Sequence, residues 1–227
     1  MSVIIATRAF NDELRALSYS LVEPPFPRVP IKGTGALDYY YALIGLEADW
    51  VINIDEDAFL WSFAPIERLL HFMQENGFHC CGMPDGGVIG HRSFSPVAVN
   101  AFFNILNVAA LRTAFSVPAV EASVFEGELQ KFIPKHLMHT DKFQFTDYEP
   151  YYKFFYWLLK SDFKMLYLDA VQWKRDPIST ILLDNNRQPL LLHTWYGRAF
   201  AEQRARIEQA YAHCKTLQQK SATKGST

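Results

Sequence analysis

The sequence predicts a single α/β domain, and three observations support this prediction. Short apolar runs at residues 3–6 and 50–54 have the length and composition of buried strands. Residues 36–46 lie between them and have the pattern of a helix, which gives the strand–loop–helix–strand order of α/β sheets. With 227 residues, 49% of them hydrophobic, the chain is long enough to bury the core of one such domain.

The first elements alternate between strand and helix patterns. The strand at residues 3–6 ends at Thr7 and Arg8. Residues 23–30 contain four prolines, which cannot donate backbone hydrogen bonds and which break a helix, so we predict a rigid loop there. The helix at residues 36–46 then leads to the strand at residues 50–54, which runs into Asp55, Glu56 and Asp57.

The middle of the chain continues this alternation. Residues 65–76 predict an amphipathic helix, because apolar residues stand at positions i, i+3, i+4 and i+7: Ile66, Leu69, Leu70 and Met73. Residues 78–83 predict a strand and residues 84–87 a turn. Residues 96–112 predict another helix with a polar stripe of Asn100, Asn104 and Asn107, which fits a solvated face as well as contacts to a ligand.

The last third is mostly readable from its patterns, although residues 121–142 are mixed and predict no defined element. Residues 147–150 predict the start of a helix whose apolar face contains Tyr152, Phe155, Tyr156 and Leu159. Residues 164–169 predict a strand, and residues 181–183 and 190–192 a hairpin that leads to His193. A final amphipathic helix is predicted for residues 199–217.

Charge and composition exclude several classes of function. Lys and Arg number 22 against 24 for Asp and Glu, so the chain lacks the basic surface of a nucleic-acid-binding protein. It shows no signal sequence and no run of roughly 18 apolar residues, so we expect a cytoplasmic protein without a transmembrane segment. A basic C-terminal end, with Lys215, Lys220 and Lys224, would permit peripheral contact with anionic lipid, although it also fits a solvated end.

The acidic pair after the strand at residues 50–54 is the first candidate for chemistry. Side chains alternate along extended backbone, so Asp55 and Asp57 are expected to share a face. At the carboxyl end of a buried strand, where α/β sheets bind ligands, two carboxylates could share one hard cation. The alternative is a helix N-cap or a solvated turn, for which the same residue types are common.

With Ala58 and Phe59 behind it, this segment resembles the Asp-x-Asp motif of glycosyltransferases of the GT-A fold, which bind a nucleotide-sugar through Mn²⁺ or Mg²⁺. The resemblance implies an open mixed sheet flanked by helices, in a single domain at residues 1–217. Residues 1–95 would form the nucleotide-sugar and metal-binding half, and residues 96–198 the acceptor and catalytic half. Residues 199–217 would form the C-terminal helix and residues 218–227 a flexible tail.

The resemblance also implies roles for individual residues. The divalent metal would be held by Asp55, Asp57 and His193. The nucleotide would be contacted by Arg8, Asp55 and Arg198. Imidazole suits Mn²⁺ better than Mg²⁺, so His193 favours manganese.

Two acids near residue 148 compete for the role of general base. Glu149 is preferred, because Pro150 would hold its backbone, whereas Asp147 also fits a helix cap. A sugar ring also needs flat apolar surfaces, which aromatic side chains can provide. The candidates, each of which could instead pack in the core, are Tyr148, Tyr151, Trp157, Trp173 and Trp195.

The resemblance therefore predicts transfer of a sugar from a nucleotide-diphosphate donor to a hydroxyl of a saccharide or lipid-linked glycan acceptor. A first alternative is a catalytically silent sugar- or nucleotide-binding member of the same fold. A second is a haloacid-dehalogenase-like phosphatase, in which the first Asp of an Asp-x-Asp strand is the nucleophile. That motif normally continues into Gly-Thr, where this chain has Ala58 and Phe59.

Overall fold

Two β-sheets form the centre of the part that the computed structural model describes, which is residues 1–143 and 148–224, with side chains up to residue 221. The strands are β1 (Val3–Ala9), β2 (Arg28–Lys32), β3 (Trp50–Ile54), β4 (Ala58–Phe59), β5 (Cys80–Gly82), β6 (Phe103–Leu106), β7 (Met165–Tyr167), β8 (Ala170–Gln172), β9 (Thr180–Leu183) and β10 (Pro189–His193). The larger sheet has the order β2-β1-β3-β6-β5-β7, in which only β6 runs antiparallel to its neighbours. The smaller sheet is antiparallel, with the order β4-β10-β9-β8.

Helices cover both faces of the larger sheet. They are α1 (Asp12–Leu21), α2 (Ala36–Ile44), α3 (Ala64–Glu75), α4 (Val108–Arg112), α5 (Val117–Glu121), α6 (Tyr152–Lys160) and α7 (Phe200–Lys224). Helices α2, α4, α5 and α6 share an apolar core with one face. Helix α3 and the smaller sheet pack on the other face, and α1 and α7 pack against the smaller sheet from outside. The predicted α/β class, with an open mixed sheet flanked by helices in one domain, is confirmed.

The periodic segments form the predicted elements. Residues 36–46 and 65–76 contain α2 and α3, residues 50–54 are β3, and the hairpin is formed by β9 and β10. Strand β3 is buried along its whole length, because Trp50, Ile52 and Ile54 face one core while Val51 and Asn53 face the other side.

The helix predicted at residues 96–112 is wrong. Residues 103–106 form β6 at the centre of the sheet, and only residues 108–112 are helical. A short apolar run buried on both faces fits a helix and a strand equally well, and here pairing with β3 and β5 decides. The asparagines therefore form no stripe: Asn104 is buried within the sheet, and Asn107 caps α4.

Three boundaries also differ from the predictions. Residues 28–30, expected in a rigid loop, belong to β2. This strand lies at the edge of the sheet, where a proline such as Pro30 is tolerated because no further strand needs its missing N–H. Helix α6 begins at Tyr152 rather than at residues 147–150, because the Tyr152 N–H closes a turn on the Glu149 carbonyl at 3.0 Å. Helix α7 continues to Lys224, beyond the predicted end at Leu217.

Within the described residues, no helix combines the length and the apolar sequence that crossing a bilayer would require. Helix α7 is long enough at 25 residues, but its sequence is polar.

Candidate functional site

A cleft of about 330 Å³ lies beyond the carboxyl ends of β1 and β3. Six of the seven residues predicted for the site line it: Arg8, Asp55, Asp57, Glu149, His193 and Arg198. The seventh, Asp147, lies outside the described residues. The structure thus brings together side chains that are up to 190 positions apart, from Arg8 to Arg198.

The acidic pair does not lie on extended strand, as the sequence led us to expect. Residues 55–58 form a turn, in which the Ala58 N–H donates to the Asp55 carbonyl at 3.1 Å. The turn nevertheless directs both carboxylates to the cleft. Glu56, between them, accepts hydrogen bonds from the backbone N–H groups of Phe10 and Asn11 and so ties this turn to the segment after β1.

Asp57 is held by groups from a distant part of the chain. Its Oδ1 lies 3.3 Å from His193 Nε2, and its Oδ2 accepts a hydrogen bond from the Gly197 N–H at 3.1 Å. Burial raises the pKa of Asp57, but the charge of His193 and these hydrogen bonds outweigh it and lower the pKa overall. A Cβ at residue 197 would lie 3.0 Å from the Asp57 carboxylate, so a larger residue there would have to displace this side chain by a few tenths of an ångström.

His193 is positioned by the smaller sheet and by aromatic rings. It pairs with Ala58 across β10 and β4, and its ring stacks on Phe102 with centroids 4.1 Å apart. Its Nδ1 is buried and has no hydrogen-bond partner in the described part of the chain. Buried polar atoms are normally satisfied, so this orphaned nitrogen is consistent with a missing ligand, ion or water.

Arg8 and Asp55 form a second pair at the neighbouring strand ends. The register that pairs Ala6 with Asn53 brings Arg8 level with Asp55, and Nη2 lies 3.9 Å from Oδ2. Burial raises the pKa of Asp55 to about 6, with Arg8 opposing the shift and Asp57 adding to it. Among the described residues, nothing bonds Asp55 Oδ1 or the Nε and Nη1 of Arg8.

The loop after β10 completes this side of the cleft. Trp195 and Tyr196 both have φ of 59°, a left-handed conformation that is strained for aromatic residues and is found most often at functional sites. The loop brings the Arg198 guanidinium to 4.4 Å from the centre of the Phe10 ring, and Arg8 lies 5.4 Å from that same ring. Two guanidinium groups thus flank one half-exposed ring at the rim of the cleft.

Glu149 faces Arg92, a residue that the sequence analysis missed. Their closest atoms, Oε1 and Nη2, are 3.7 Å apart. Burial raises the pKa of Glu149, the nearby Asp85 raises it further, and Arg92 opposes both effects. Asp85 was also missed. It lies in the predicted turn at residues 84–87, and aspartate is common in turns because its side chain bonds the nearby backbone, so its position did not indicate a role in the site.

Asp85 is fully buried and holds Arg92 in place. It accepts a bidentate pair of hydrogen bonds from Arg92 Nε and Nη2, at 2.8 and 2.5 Å. Asn100 and the hydroxyl groups of Tyr151 and Tyr152 donate to the same carboxylate. No local pattern marks such a residue, since its partners come from residues 92 to 152.

The candidate aromatic surfaces divide between the core and the cleft. Trp157 and Trp173 are buried in apolar clusters, whereas Tyr151 and Trp195 line the cleft. Tyr148 is exposed and stacks on Phe94, with centroids 4.0 Å apart.

The donor atoms are of the types that a divalent metal accepts. Two ligands at right angles on one ion, each at about 2.1 Å, stand roughly 3 Å apart. The distance of 3.3 Å between Asp57 Oδ1 and His193 Nε2 fits that arrangement and equally fits a direct ion pair. Within residues 1–143 and 148–221, no three His, Cys, Asp or Glu side chains are grouped closely enough to hold an ion together.

No family model and no curated protein matches this sequence. Among solved structures, the fold is similar to A197 from STIV, with 12% identity, a TM-score of 0.40, and coverage of 84% of this chain and 94% of that one. It is also similar to a glycosyltransferase involved in the glycosylation of the major capsid of PBCV-1, with 10% identity, a TM-score of 0.35, and coverage of 63% and 80%. At TM-scores below 0.5, neither likeness supports an inference about what this chain binds or does.

Proposed function

We propose that the cleft binds a nucleotide-sugar through a divalent cation and transfers the sugar to an acceptor hydroxyl. One observation carries the proposal: six residues chosen from a motif and its order in the chain line one cleft at the strand ends. The location also suits the proposal, because open α/β sheets bind ligands at this edge.

Asp57 and His193 are the proposed metal ligands, with Asp55 as the third. The 3.3 Å between Asp57 Oδ1 and His193 Nε2 fits two ligands of one ion, and the unpartnered buried Oδ1 of Asp55 supports a missing group in this region. The cation would neutralise the charge that develops on the diphosphate as it leaves. Carboxylate and imidazole ligands together favour Mn²⁺.

Arg8 and Arg198 are the proposed diphosphate contacts. Both guanidinium groups line the cleft beside Phe10, and two donors of Arg8 have no partner within the described residues. Guanidinium forks match phosphate oxygens geometrically and stay charged at any working pH.

Glu149 is the proposed general base. The acceptor oxygen forms a bond to the anomeric carbon of the sugar, and the bond from that carbon to the diphosphate oxygen breaks. The electron pair of the broken bond leaves on the diphosphate, and the acceptor proton passes to Glu149. Arg92, 3.7 Å from the carboxylate, favours the ionised form that can accept it.

The second candidate is binding of the nucleotide or sugar without turnover. It is favoured by the contacts of Asp57, whose two oxygens already meet His193 and the Gly197 N–H, and by the lack of a group of three ligands among the described residues. A bound nucleotide would then rest on Arg8 and Arg198 alone.

A thermal-shift panel of nucleoside diphosphates, each with and without Mn²⁺, tests the proposal. A ligand present at about 100 times its Kd stabilises the native state by about 2.7 kcal/mol, or roughly 5–10 °C for a domain of this size. We expect one nucleotide to give such a shift only with Mn²⁺, and Asp57→Asn to remove it. Glu67→Gln, which changes an exposed acid on α3, is the matched control and should leave the shift unchanged.

Three other outcomes would decide against transfer. A shift that needs no metal and survives Asp57→Asn supports the binding protein. Hydrolysis of p-nitrophenyl phosphate that needs Mg²⁺ and is lost in Asp55→Asn supports the phosphatase. No shift with any nucleotide rejects the proposed site altogether.

A further inference from the structure

A second cavity, of about 620 Å³, adjoins the cleft. Its walls come from residues 87–93 on one side and residues 139–143 on the other. Arg92 lines both cavities and is the one lining residue that they share within the described part of the chain. The volume lies in the range of cavities that bind small molecules.

The backbone around Arg92 is fixed on both sides. The Arg92 carbonyl accepts from the Gly87 N–H at 3.1 Å, and the Arg92 N–H donates to the Ile89 carbonyl at 3.2 Å. The opposite wall is tied to this loop, because the His139 N–H donates to the Gly87 carbonyl at 2.7 Å. The guanidinium is therefore held in one place before any ligand arrives.

The pairing of Arg92 with Asp85 leaves part of the guanidinium for a ligand. The bidentate bonds to Asp85 use Nε and Nη2. Within the described residues, no hydrogen bond engages the Nη1 of Arg92. Arg92 borders both cavities, so this nitrogen remains as a donor for a ligand.

Two cationic side chains at the second cavity offer hydrogen-bond donors to an anion. Its described walls contain two permanent cations, Arg92 and Lys142, and one acid, Asp141. Asp85 balances the charge of Arg92, so a phosphate or carboxylate of a ligand would be bound by hydrogen bonds from the unengaged Nη1 of Arg92 and from Lys142.

We propose that this cavity is the acceptor subsite and that it takes a hexose carrying a phosphate or a carboxylate, bound by Arg92 and Lys142. The inference rests on the proposed function and names its acceptor class. Arg92 Nη2 is 3.7 Å from Glu149 Oε1, so an anion held by Arg92 brings the rest of the acceptor beside the proposed base. An acceptor hydroxyl that enters the cleft from this side then loses its proton to Glu149 as it attacks.

Calorimetric titration with three probes tests the subsite: glucose 6-phosphate, glucuronate and glucose. We expect glucose 6-phosphate and glucuronate to bind at least tenfold more tightly than glucose, because the anion supplies charge-assisted hydrogen bonds. Comparing the first two probes shows whether the site prefers phosphate or carboxylate. Neutral glucose that binds as tightly as both anions overturns the proposal.

Variants locate the bound anion. Lys142→Ala should weaken glucose 6-phosphate binding by about tenfold, the loss expected for one charged hydrogen bond. Lys135→Ala, an exposed lysine of the same segment outside the cavity wall, is the matched control. Arg198→Ala tests the donor side of the cleft and should leave glucose 6-phosphate binding unchanged. Loss of binding in Arg198→Ala but not in Lys142→Ala would place the anion in the donor site and overturn the proposal.

Arg92 needs a paired substitution, since its loss alone leaves Asp85 buried without a counter-charge. Asp85→Asn combined with Arg92→Gln replaces both charges by amides, and circular dichroism shows whether the pair still folds. The folded pair should lose anion binding as Lys142→Ala does. If it does not fold, the Lys142 and Lys135 comparison decides alone.

The two proposals fail separately. Anion binding through Lys142 in a protein that shows no metal-dependent nucleotide shift rejects the transferase and keeps the anion site. A metal-dependent nucleotide shift without anion binding rejects the subsite and keeps the transferase.

Discussion

Burial and charge act in opposite directions on Glu149. Burial and the nearby Asp85 raise its pKa, and Arg92 opposes the shift without cancelling it. A general base works only in its ionised form, so the rate of sugar transfer should fall as the pH drops through this raised pKa. We predict an acid limb of the pH–rate profile above the usual pKa of a glutamate, measured as kcat/KM against pH.

Glu149→Gln should lower the transfer rate by about 10²–10⁴-fold and remove that acid limb. The nucleotide-dependent thermal shift should remain, because the substitution leaves the proposed metal ligands intact. Transfer at the wild-type rate in this variant would remove Glu149 from the reaction, and Asp147 would become the next candidate.

Asn104 illustrates how a buried polar residue stabilises the sheet. It accepts from the Tyr40 hydroxyl at 2.7 Å and donates to the Asn100 carbonyl at 3.2 Å. Asn104→Ala leaves both partners buried and unsatisfied, so we predict a loss of about 2–4 kcal/mol in the free energy of unfolding, measured in urea.

Tyr40→Phe is the comparison for this network, since it removes one donor while Asn104 Oδ1 keeps the hydrogen bond from Asn53 Nδ2 at 3.2 Å. It should cost less than Asn104→Ala, about 1–2 kcal/mol. Equal costs, or a loss below about 0.5 kcal/mol for Asn104→Ala, would show that water satisfies the site.

The same residue marks a limit of prediction from sequence. Asn100, Asn104 and Asn107 have helical spacing, but Asn100 and Asn104 bond to side chains far along the chain, and Asn107 caps α4 locally. Asp55 and Asp57 could be chosen in advance because a local motif marks them, and His193 because the family resemblance implies a histidine after a late strand. Asp85 and Arg92 have no such local mark, although they hold one wall of the cleft.

At the scale of elements, α7 fixes the loop that completes the cleft. Arg206 donates to the carbonyls of Thr194 and Trp195 and to Asp176 Oδ2, at 2.5, 2.9 and 2.9 Å. Burial raises the pKa of Asp176, but hydrogen bonds from Ser179 and Arg206 outweigh it and lower the pKa overall. This carboxylate thus stabilises the fold at neutral pH and loses that contribution as the pH falls below the usual carboxyl range.

Arg206→Ala should lower the free energy of unfolding at pH 7 by about 3 kcal/mol, because it leaves the buried Asp176 without its counter-charge. It should also weaken Mn²⁺ binding, since His193 directly precedes the loop. Arg204→Ala is the control on the same helix: it removes an exposed ion pair with Glu13 and should change stability much less. Equal effects of the two variants in chemical denaturation would contradict this role of Arg206.

Elements were predictable where periodicity was strong or turn residues were clear. Strand β3, helix α3 and the β9–β10 hairpin follow from their own residues. Strand β6 does not, because a four-residue apolar run becomes a strand only when β3 and β5 lie beside it. The smaller sheet likewise depends on β4, a two-residue strand that pairs with β10 across more than 130 positions.

At the scale of the molecule, the cleft exists because the two sheets meet at the end of β3. The larger sheet supplies Arg8 and Asp55, and β10 of the smaller sheet delivers His193 to Asp57. The motif predicted residues that belong to the site. The strand order brings these residues together in space, and no local sequence pattern encodes that order. The second cavity, formed by residues 87–93 and 139–143, could not be predicted at all.

The most direct test of the metal–nucleotide cleft is a titration with Mn²⁺, followed through the electron paramagnetic resonance signal of the free ion, with nucleoside diphosphate present. Wild type is compared with Asp57→Asn, His193→Ala and the control His71→Ala, which changes an exposed histidine on α3. We predict that both site variants weaken Mn²⁺ binding at least tenfold while the control does not. Equal Mn²⁺ affinity in all four proteins would contradict the account.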